Sequence, residues 1–179
     1  MSIPAAPEGY ATVNPFIITH GAEEISAFII EVFGGVERLE SRTVDVDGLL
    51  LQGEVVVGTT TIMLAERKPG WAFTPSFLQI YVDDIEATLE RAVARGARIL
   101  TQPTDFFGTQ FSRLQDPAAN IWWVWQHGEL VWDEAAHADA WDGDAPAEDW
   151  AAVSPELAYI RDTLLDAMAN LRDPEAEQV

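Results

Sequence analysis

The order of hydrophobic and polar positions predicts the same series of elements in each half of the chain. In the first half, an apolar, β-prone run over 12–19 is followed by a helical pattern over 23–33. Three further strands are predicted over 36–46, 49–57 and 61–65, with turns at Asp47-Gly48 and over 58–60. This order is β-α-β-β-β, and Pro15 marks an irregular start to its first strand.

The second half repeats this order after a linker over 67–75 that contains Pro69-Gly70. The patterns predict a strand over 77–82, a helix over 85–95 after Asp83-Asp84, a strand over 97–100 and a loop over 103–108. Gly34 and Gly96 end the two helices, which sets the halves about sixty residues apart. One helix covers one face of each four-stranded sheet, so two such units side by side enclose a cleft.

A hairpin between Gly108 and Gln126 completes the second unit. Asp116-Pro117 opens its turn, and Asn120 is expected to close it in the left-handed conformation. The hairpin contains a Gly, an aromatic strand, Asp-Pro-x-x-Asn and an apolar strand, represented by Gly108, Phe111, Asp116-Pro117, Asn120 and Trp122. This pattern resembles the vicinal-oxygen-chelate superfamily, which includes glyoxalase I, extradiol dioxygenases and bleomycin-resistance proteins.

The resemblance covers about residues 12–127 and implies an α+β fold. Two β-α-β-β-β modules, about 12–66 and 76–127, are expected to form a curved, cleft-enclosing sheet. An acidic connector over 128–153 contains Trp132, Trp141 and Trp150, which should dock on the body or on a partner. An amphipathic helix is predicted over 154–172, and it could pack on its own domain or grip a second subunit; its stripe is Leu157, Ile160, Leu164, Met168 and Leu171.

Composition narrows the partners of this fold. The 179 residues are 48% hydrophobic, enough for a substantial core, and carry a net charge of −20. That charge repels nucleic acid and anionic membranes, and either attracts a cationic small molecule or serves solubility. The chain has no cysteine, no apolar run near the roughly 20 residues that span a bilayer, and no signal-peptide pattern at its start. We therefore expect a cytoplasmic protein.

The resemblance also implies positions for a divalent metal, which many members hold with His, Glu or Gln. In this sequence the corresponding positions are Val13, Gln52, Ser76 and Trp123. Neither Val nor Trp can coordinate a metal, and none of the three histidines lies at such a position. We therefore predict that the protein uses no metal and no other cofactor.

Strand alternation selects the side chains that would line the cleft. Gln52 and Glu54 share one face, as do Phe111 and Arg113, and superposing the modules places Glu54 near the counterpart of Arg113. These two could instead form a structural ion pair, and the tryptophans could simply fill the core. The predicted ligand-binding set is Gln52, Glu54, Met63, Phe111, Arg113, Trp123 and Trp125.

Three functions follow from this reading. The first is a metal-free binding protein that resembles the drug-sequestering members of the family, forms a homodimer and holds a cationic or aromatic ligand in a Trp-lined cleft. The second is an enzyme of the lyase, isomerase or dioxygenase type on a small carbonyl or aromatic substrate. It would either depend on a metal held at positions other than the four named above or work without a metal, with Glu54 as general base. The third is a scaffold whose acidic tail and last helix recruit another protein.

Overall fold

The computed structural model describes residues 5–128 and 154–176. Its elements, in chain order, are β1 (Phe16–Thr19), α1 (Ala22–Phe33), β2 (Val36–Glu37), a 3-10 turn (Leu39–Ser41), β3 (Thr43–Val44), β4 (Leu50–Val57), β5 (Thr60–Glu66), β6 (Phe77–Tyr81), α2 (Ile85–Ala94), β7 (Arg98–Phe106), β8 (Thr109–Gln115), β9 (Ile121–Gln126) and α3 (Pro155–Ala169). No helix among these described residues is long and apolar enough to cross a membrane.

The strands form two sheets of matching topology. The first has the order β1-β5-β4-β2, with β3 also paired to β4, and the second has the order β6-β9-β8-β7. In each sheet the first strand of the module lies parallel to the last, β1 beside β5 and β6 beside β9, and the remaining pairs are antiparallel. This confirms the α+β class and the repeated β-α-β-β-β order.

One hydrophobic core joins the two modules on the helix side of the sheets. Apolar residues of α1 and α2 pack with the inward-facing residues of both sheets in a single cluster. The helices are also linked directly, because the guanidinium of Arg91 donates to the carbonyl oxygen of Val32 at 3.1 and 3.0 Å. The ring of Phe33 lies 4.8 Å from that of Trp122, which anchors the second sheet against the first helix.

Three predicted element boundaries were wrong. The first strand begins only at Phe16, directly after Pro15, and the predicted strand over 36–46 is two short strands separated by the 3-10 turn. Strand β7 runs to Phe106, through the predicted loop over 103–108. It accommodates Pro103 because β7 is the edge strand of its sheet and its register with β8 shifts between Thr101 and Thr104.

The turn between β8 and β9 is held by a buried carboxylate. Asp116 accepts hydrogen bonds from the backbone amides of Ala118 (3.0 Å) and Asn120 (2.9 Å) and from the indole N–H of Trp122 (3.0 Å). Burial raises the pKa of Asp116, an effect that these bonds oppose. The left-handed residue is Ala119, with φ 68°, and not Asn120 as predicted. Asn120 instead accepts from the amide of Ser76 at 2.9 Å and so fixes the start of β6.

Helix α3 packs against β7 of its own chain. Ser154 caps it by accepting from the amide of Leu157 at 3.1 Å. The hydroxyls of Thr163 and Thr101 lie 2.8 Å apart, and the hydroxyl of Tyr159 accepts from the amide of Gln102 at 3.0 Å. The fully buried position of the helix is Ala167, whereas Met168 of the predicted stripe is 44% exposed. Trp132, Trp141 and Trp150 of the predicted connector lie outside the described residues.

Candidate functional site

Each sheet packs its helix on one face and leaves the opposite face, here called the open face, for other contacts. The alternation is clearest on β6, where Leu78 and Ile80 pack against the core. The alternate side chains of the strand point the other way and are exposed; they are those of Phe77, Gln79 and Tyr81. On β1, Phe16 is likewise 51% exposed on the side opposite the buried Ile17.

The seven predicted site residues fall into two groups on these faces. On the first sheet, Glu54 pairs across the strands with Met63, and Gln52 lies two positions before Glu54. On the second sheet, Arg113 pairs with Trp123 and Phe111 pairs with Trp125. The strand pairings thus bring three of the seven together on one sheet and four on the other.

Glu54 is covered by the chain's own N-terminal segment. Its carboxylate accepts a hydrogen bond of 2.7 Å from the hydroxyl of Tyr10 and one of 3.2 Å from the side-chain amide of Gln52. The guanidinium of Arg38 lies 3.8 Å from the same carboxylate and stacks 4.8 Å from the centre of the Tyr10 ring. Glu54 is only 3% exposed as a result, and each of its carboxylate oxygens accepts a hydrogen bond within the fold.

Arg113 is covered by the other end of the chain. Its Nη1 donates to the carbonyl oxygen of Ile160 in α3 at 2.6 Å and to the hydroxyl of Thr101 at 3.2 Å. Its guanidinium carbon lies 4.7 Å from the ring centre of Phe111 and 5.2 Å from that of Trp123. Burial lowers the pKa of Arg113 to about 10.

Glu54 and Arg113 do not pair with each other. The ion-pair partner of Glu54 is Arg38, and within the part of the chain that the structure describes no carboxylate lies within 4.0 Å of the Arg113 guanidinium. Arg113 is therefore a cation that is only 4% exposed. It donates hydrogen bonds to two neutral oxygen atoms, the Thr101 hydroxyl and the Ile160 carbonyl.

The tryptophans of β9 divide between the two faces of the second sheet. Trp122 is 1% exposed in the shared core. Trp123 and Trp125 are partly buried on the open face. The ring of Phe77 meets that of Trp123 edge-on at 6.0 Å, and Phe111 lies 4.5 Å from Trp125. The open face of this sheet therefore presents an aromatic surface with solvent access along β6.

The four positions considered for a metal do not supply a fitting donor set. Val13 is 82% exposed ahead of β1, and Trp123 offers only an aromatic ring. The Gln52 amide is hydrogen-bonded to Glu54, and the backbone of Ser76 is bonded to Asn120. Across residues 5–128 and 154–176, no three His, Asp or Glu side chains gather in a metal-binding arrangement. The prediction that the protein uses no metal stays a prediction.

A cavity of about 520 Å³ lies elsewhere, where the end of β1, the start of α1, the linker before β6 and the residues after α3 meet. None of the seven predicted residues lines it. Three of its charged groups are engaged within the fold: Glu66 accepts from the amides of Gly21 (3.0 Å) and Ala22 (2.8 Å), and Arg67 binds Asp173 at 2.8 and 2.9 Å. These contacts cap α1 and fasten the segment after α3 to the first module.

The sequence reasoning missed the residues that cover or border the site. Phe77 and Tyr81 could have been found, because period-two alternation marks them as the outward positions of β6. Tyr10, Arg38 and Ile160 gave no such signal, since they lie on other segments and reach the site only in the folded chain.

Comparison with known proteins agrees with this architecture. Residues 17–124 match the family model of the Glyoxalase/Bleomycin resistance protein/Dioxygenase superfamily. The protein Mb0911c of Mycobacterium bovis, itself uncharacterised, is 26% identical over an alignment of 145 positions that covers 74% of this chain and 94% of that protein.

Two solved structures are similar in fold. Protein PA1353 from Pseudomonas aeruginosa has a TM-score of 0.54 at 17% identity and covers 65% of this chain and 98% of its own. A glyoxalase/bleomycin resistance protein/dioxygenase family enzyme from Burkholderia phytofirmans PsJN has a TM-score of 0.51 at 22% identity, and the match covers 68% of this chain and 98% of that one. At these identities the likeness concerns the fold alone.

Proposed function

The chain belongs to the Glyoxalase/Bleomycin resistance protein/Dioxygenase superfamily, and from that premise we propose that it binds a small aromatic molecule on the open face of its second sheet. The observation that carries this proposal is the pair formed by Phe77, 49% exposed, and the partly buried Trp123 beside it. A flat ring stacked on such a pair gains about 0.5–1.5 kcal/mol beyond the apolar area that it buries.

The arrangement of the charged groups supports one of the two ligand classes that the sequence leaves open. A cationic ligand is favoured only by the net charge of −20, which acts at long range. Glu54, the carboxylate among the predicted site residues, lies on the first sheet and is already engaged by Tyr10, Gln52 and Arg38. The aromatic class is favoured by the rings themselves, and we take it as the ligand class.

Binding without a metal is part of the proposal. It is supported by the donor set, since Val13 and Trp123 have no side-chain oxygen or imidazole to offer and Gln52 is hydrogen-bonded to Glu54. Elemental analysis of the purified protein tests this part: a stoichiometric divalent metal would contradict it.

A homodimer is also part of the proposal. Phe16, Phe77 and Tyr81 are 51%, 49% and 62% exposed to solvent. A second copy of the chain would cover such apolar surface while leaving room for a ligand between the subunits. Analytical ultracentrifugation measures the expected dimer mass, and a monomer at all concentrations would remove this part of the proposal.

Calorimetric titration with a naphthalene series tests the proposed function: 2-naphthoate, its primary amide and 2-naphthylmethylammonium. We expect at least one to bind, and Trp123→Ala to weaken that binding about tenfold. The matched control is Trp71→Ala, which removes another tryptophan, 53% exposed, from the linker before β6. Absence of binding by all three compounds, or equal loss in both variants, would contradict the proposal.

The metal-free form of the enzyme alternative rests on Glu54 as a base, and the structure gives a physical reason to rank it second. A general base must reach the proton that it removes, whereas the Glu54 carboxylate is covered by Tyr10. Glu54→Gln keeps the shape of the side chain. If the protein turned over a family substrate and this variant lost the activity while remaining folded, the enzyme reading would replace ours.

A further inference from the structure

Arg113 is a buried cation without a buried anion. It is 4% exposed, and its Nε has no hydrogen-bond partner among the described residues. Charged side chains are rarely buried without a counter-ion, because the charge loses its hydration with nothing in exchange. The neutral oxygens of Ile160 and Thr101 satisfy only Nη1. The guanidinium therefore retains donor capacity that the described fold does not use.

A second unused donor lies close by on the same face. The indole Nε1 of Trp125 is buried without a hydrogen-bond partner in the described part of the chain. Trp125 stands opposite Phe111, and Arg113 is two positions further along the same strand. Because buried N–H groups are nearly always paired in folded proteins, two unpaired donors this near in the sheet favour a ligand that brings acceptor oxygens.

We propose that the guanidinium of Arg113 binds an oxyanion, specifically the carboxylate of the aromatic ligand. This inference rests on the proposed function, because it assigns the polar end of the same molecule. The register Gln79–Trp123–Arg113 places Trp123 between the exposed strand β6 and the guanidinium. A ring lying on Phe77 and Trp123 can thus direct its carboxylate toward Arg113. The planar guanidinium matches a carboxylate in shape and charge.

Helix α3 stands in for this carboxylate when no ligand is bound. The Ile160 carbonyl oxygen lies 2.6 Å from Nη1, where a ligand oxygen would compete for the same donor. A carboxylate is the stronger acceptor, because its bond to a cation is charge-assisted on both sides. The exchange requires only that the Ile160 carbonyl move away from Nη1; within the helix Ala167 is the one fully buried residue, and Leu165 is 60% exposed.

The test is calorimetric titration of the full-length protein with 2-naphthoate, 2-naphthamide and 2-naphthylmethylammonium. We expect the carboxylate to bind at least tenfold more tightly than the amide, and the ammonium compound to bind most weakly. Equal affinities, or preference for the cation, would overturn the carboxylate site while leaving aromatic binding intact. Binding by none of the three would instead contradict the proposed function itself.

Variants test whether Arg113 causes the preference for the carboxylate over the amide. Arg113→Gln should make the carboxylate and the amide bind equally, whereas Arg98→Gln should leave the preference unchanged. Arg98 is the matched control because it lies on the neighbouring strand β7 and its loss changes the net charge equally. Arg113→Lys keeps the charge and should retain part of the preference, which covers the case in which the glutamine variant does not fold. Unchanged preference in a folded Arg113→Gln protein would overturn the inference.

Discussion

The hydroxyl of Tyr10 donates a 2.7 Å hydrogen bond to the carboxylate of Glu54, across 44 positions of the sequence. The contact closes the open face of the first sheet at the position that corresponds, in the second sheet, to Arg113. There α3 makes the equivalent closure with the Ile160 carbonyl. Segments near both ends of the chain thus cover the two charged residues. The exposed aromatic surface is formed by β6 together with the neighbouring Trp123.

Removing the Tyr10 hydroxyl should destabilise the fold. In Tyr10→Phe the buried Glu54 carboxylate loses its shortest hydrogen bond, and we expect the free energy of unfolding to fall by about 1–3 kcal/mol. Urea denaturation measures it. The control is Tyr81→Phe, whose exposed hydroxyl accepts from Gln79 at 3.0 Å and should change stability by less than about 0.5 kcal/mol. Equal changes in the free energy of unfolding for the two variants would show that the Tyr10 hydrogen bond does not stabilise the fold.

The hydrogen bond from the indole of Trp122 to the carboxylate of Asp116 should contribute measurably to the stability of the fold. Trp122→Phe keeps an aromatic ring in the core but withdraws the 3.0 Å indole bond from the buried carboxylate. We expect a loss of about 2–4 kcal/mol, the sum of a lost charged hydrogen bond and a small cavity. Trp71→Phe, at a position 53% exposed, is the control and should be nearly neutral. A similar melting temperature for both variants would argue against this role of Trp122.

The Arg67–Asp173 contact predicts a specific pH dependence. The hydrogen bond from Arg67 lowers the pKa of Asp173 below its ordinary 3.8, so the folded state favours the charged carboxylate. The stability that this contact contributes is therefore present above pH 3.8 and is lost as the pH falls through the lower folded-state pKa. The difference in unfolding free energy between the wild type and Asp173→Asn should accordingly shrink in that window.

The matched variant for this pH series is Asp83→Asn, which removes the same charge at an exposed position. Its difference from the wild type should show no comparable step. A pH-independent difference for Asp173→Asn, measured by denaturation from pH 2 to 7, would mean that Arg67 does not hold this carboxylate in its charged form.

Much of the fold could be predicted because its signals are local. Gly34 and Gly96 end the two helices with φ of 71° and 85°, and Asp84 caps α2 by accepting from the amide of Ala87. The extent of β7 could not be predicted, because Pro103 breaks a strand in general and is tolerated only at a sheet edge. Which strand forms that edge is decided by the tertiary structure.

The candidate site shows the same division between local and tertiary information. Strand alternation placed Phe111, Arg113 and Trp123 on one face, as the register has them. It could not show that Tyr10 and Ile160 would cover Glu54 and Arg113, because these contacts join segments 44 and 47 positions apart. Contacts over such distances depend on how the chain ends fold back onto the sheets.

The most direct measurement of the central claim is the 19F NMR spectrum of protein labelled with 5-fluorotryptophan, titrated with 2-naphthoate. The seven tryptophan resonances are assigned with single Trp→Phe variants. We predict that the signals of Trp123 and Trp125 shift on binding, while that of the core residue Trp122 does not. Trp71 lies two positions before Phe73, which lines the 520 Å³ cavity. A shift of Trp71 with unchanged Trp123 and Trp125 would place the ligand in that cavity and contradict the account.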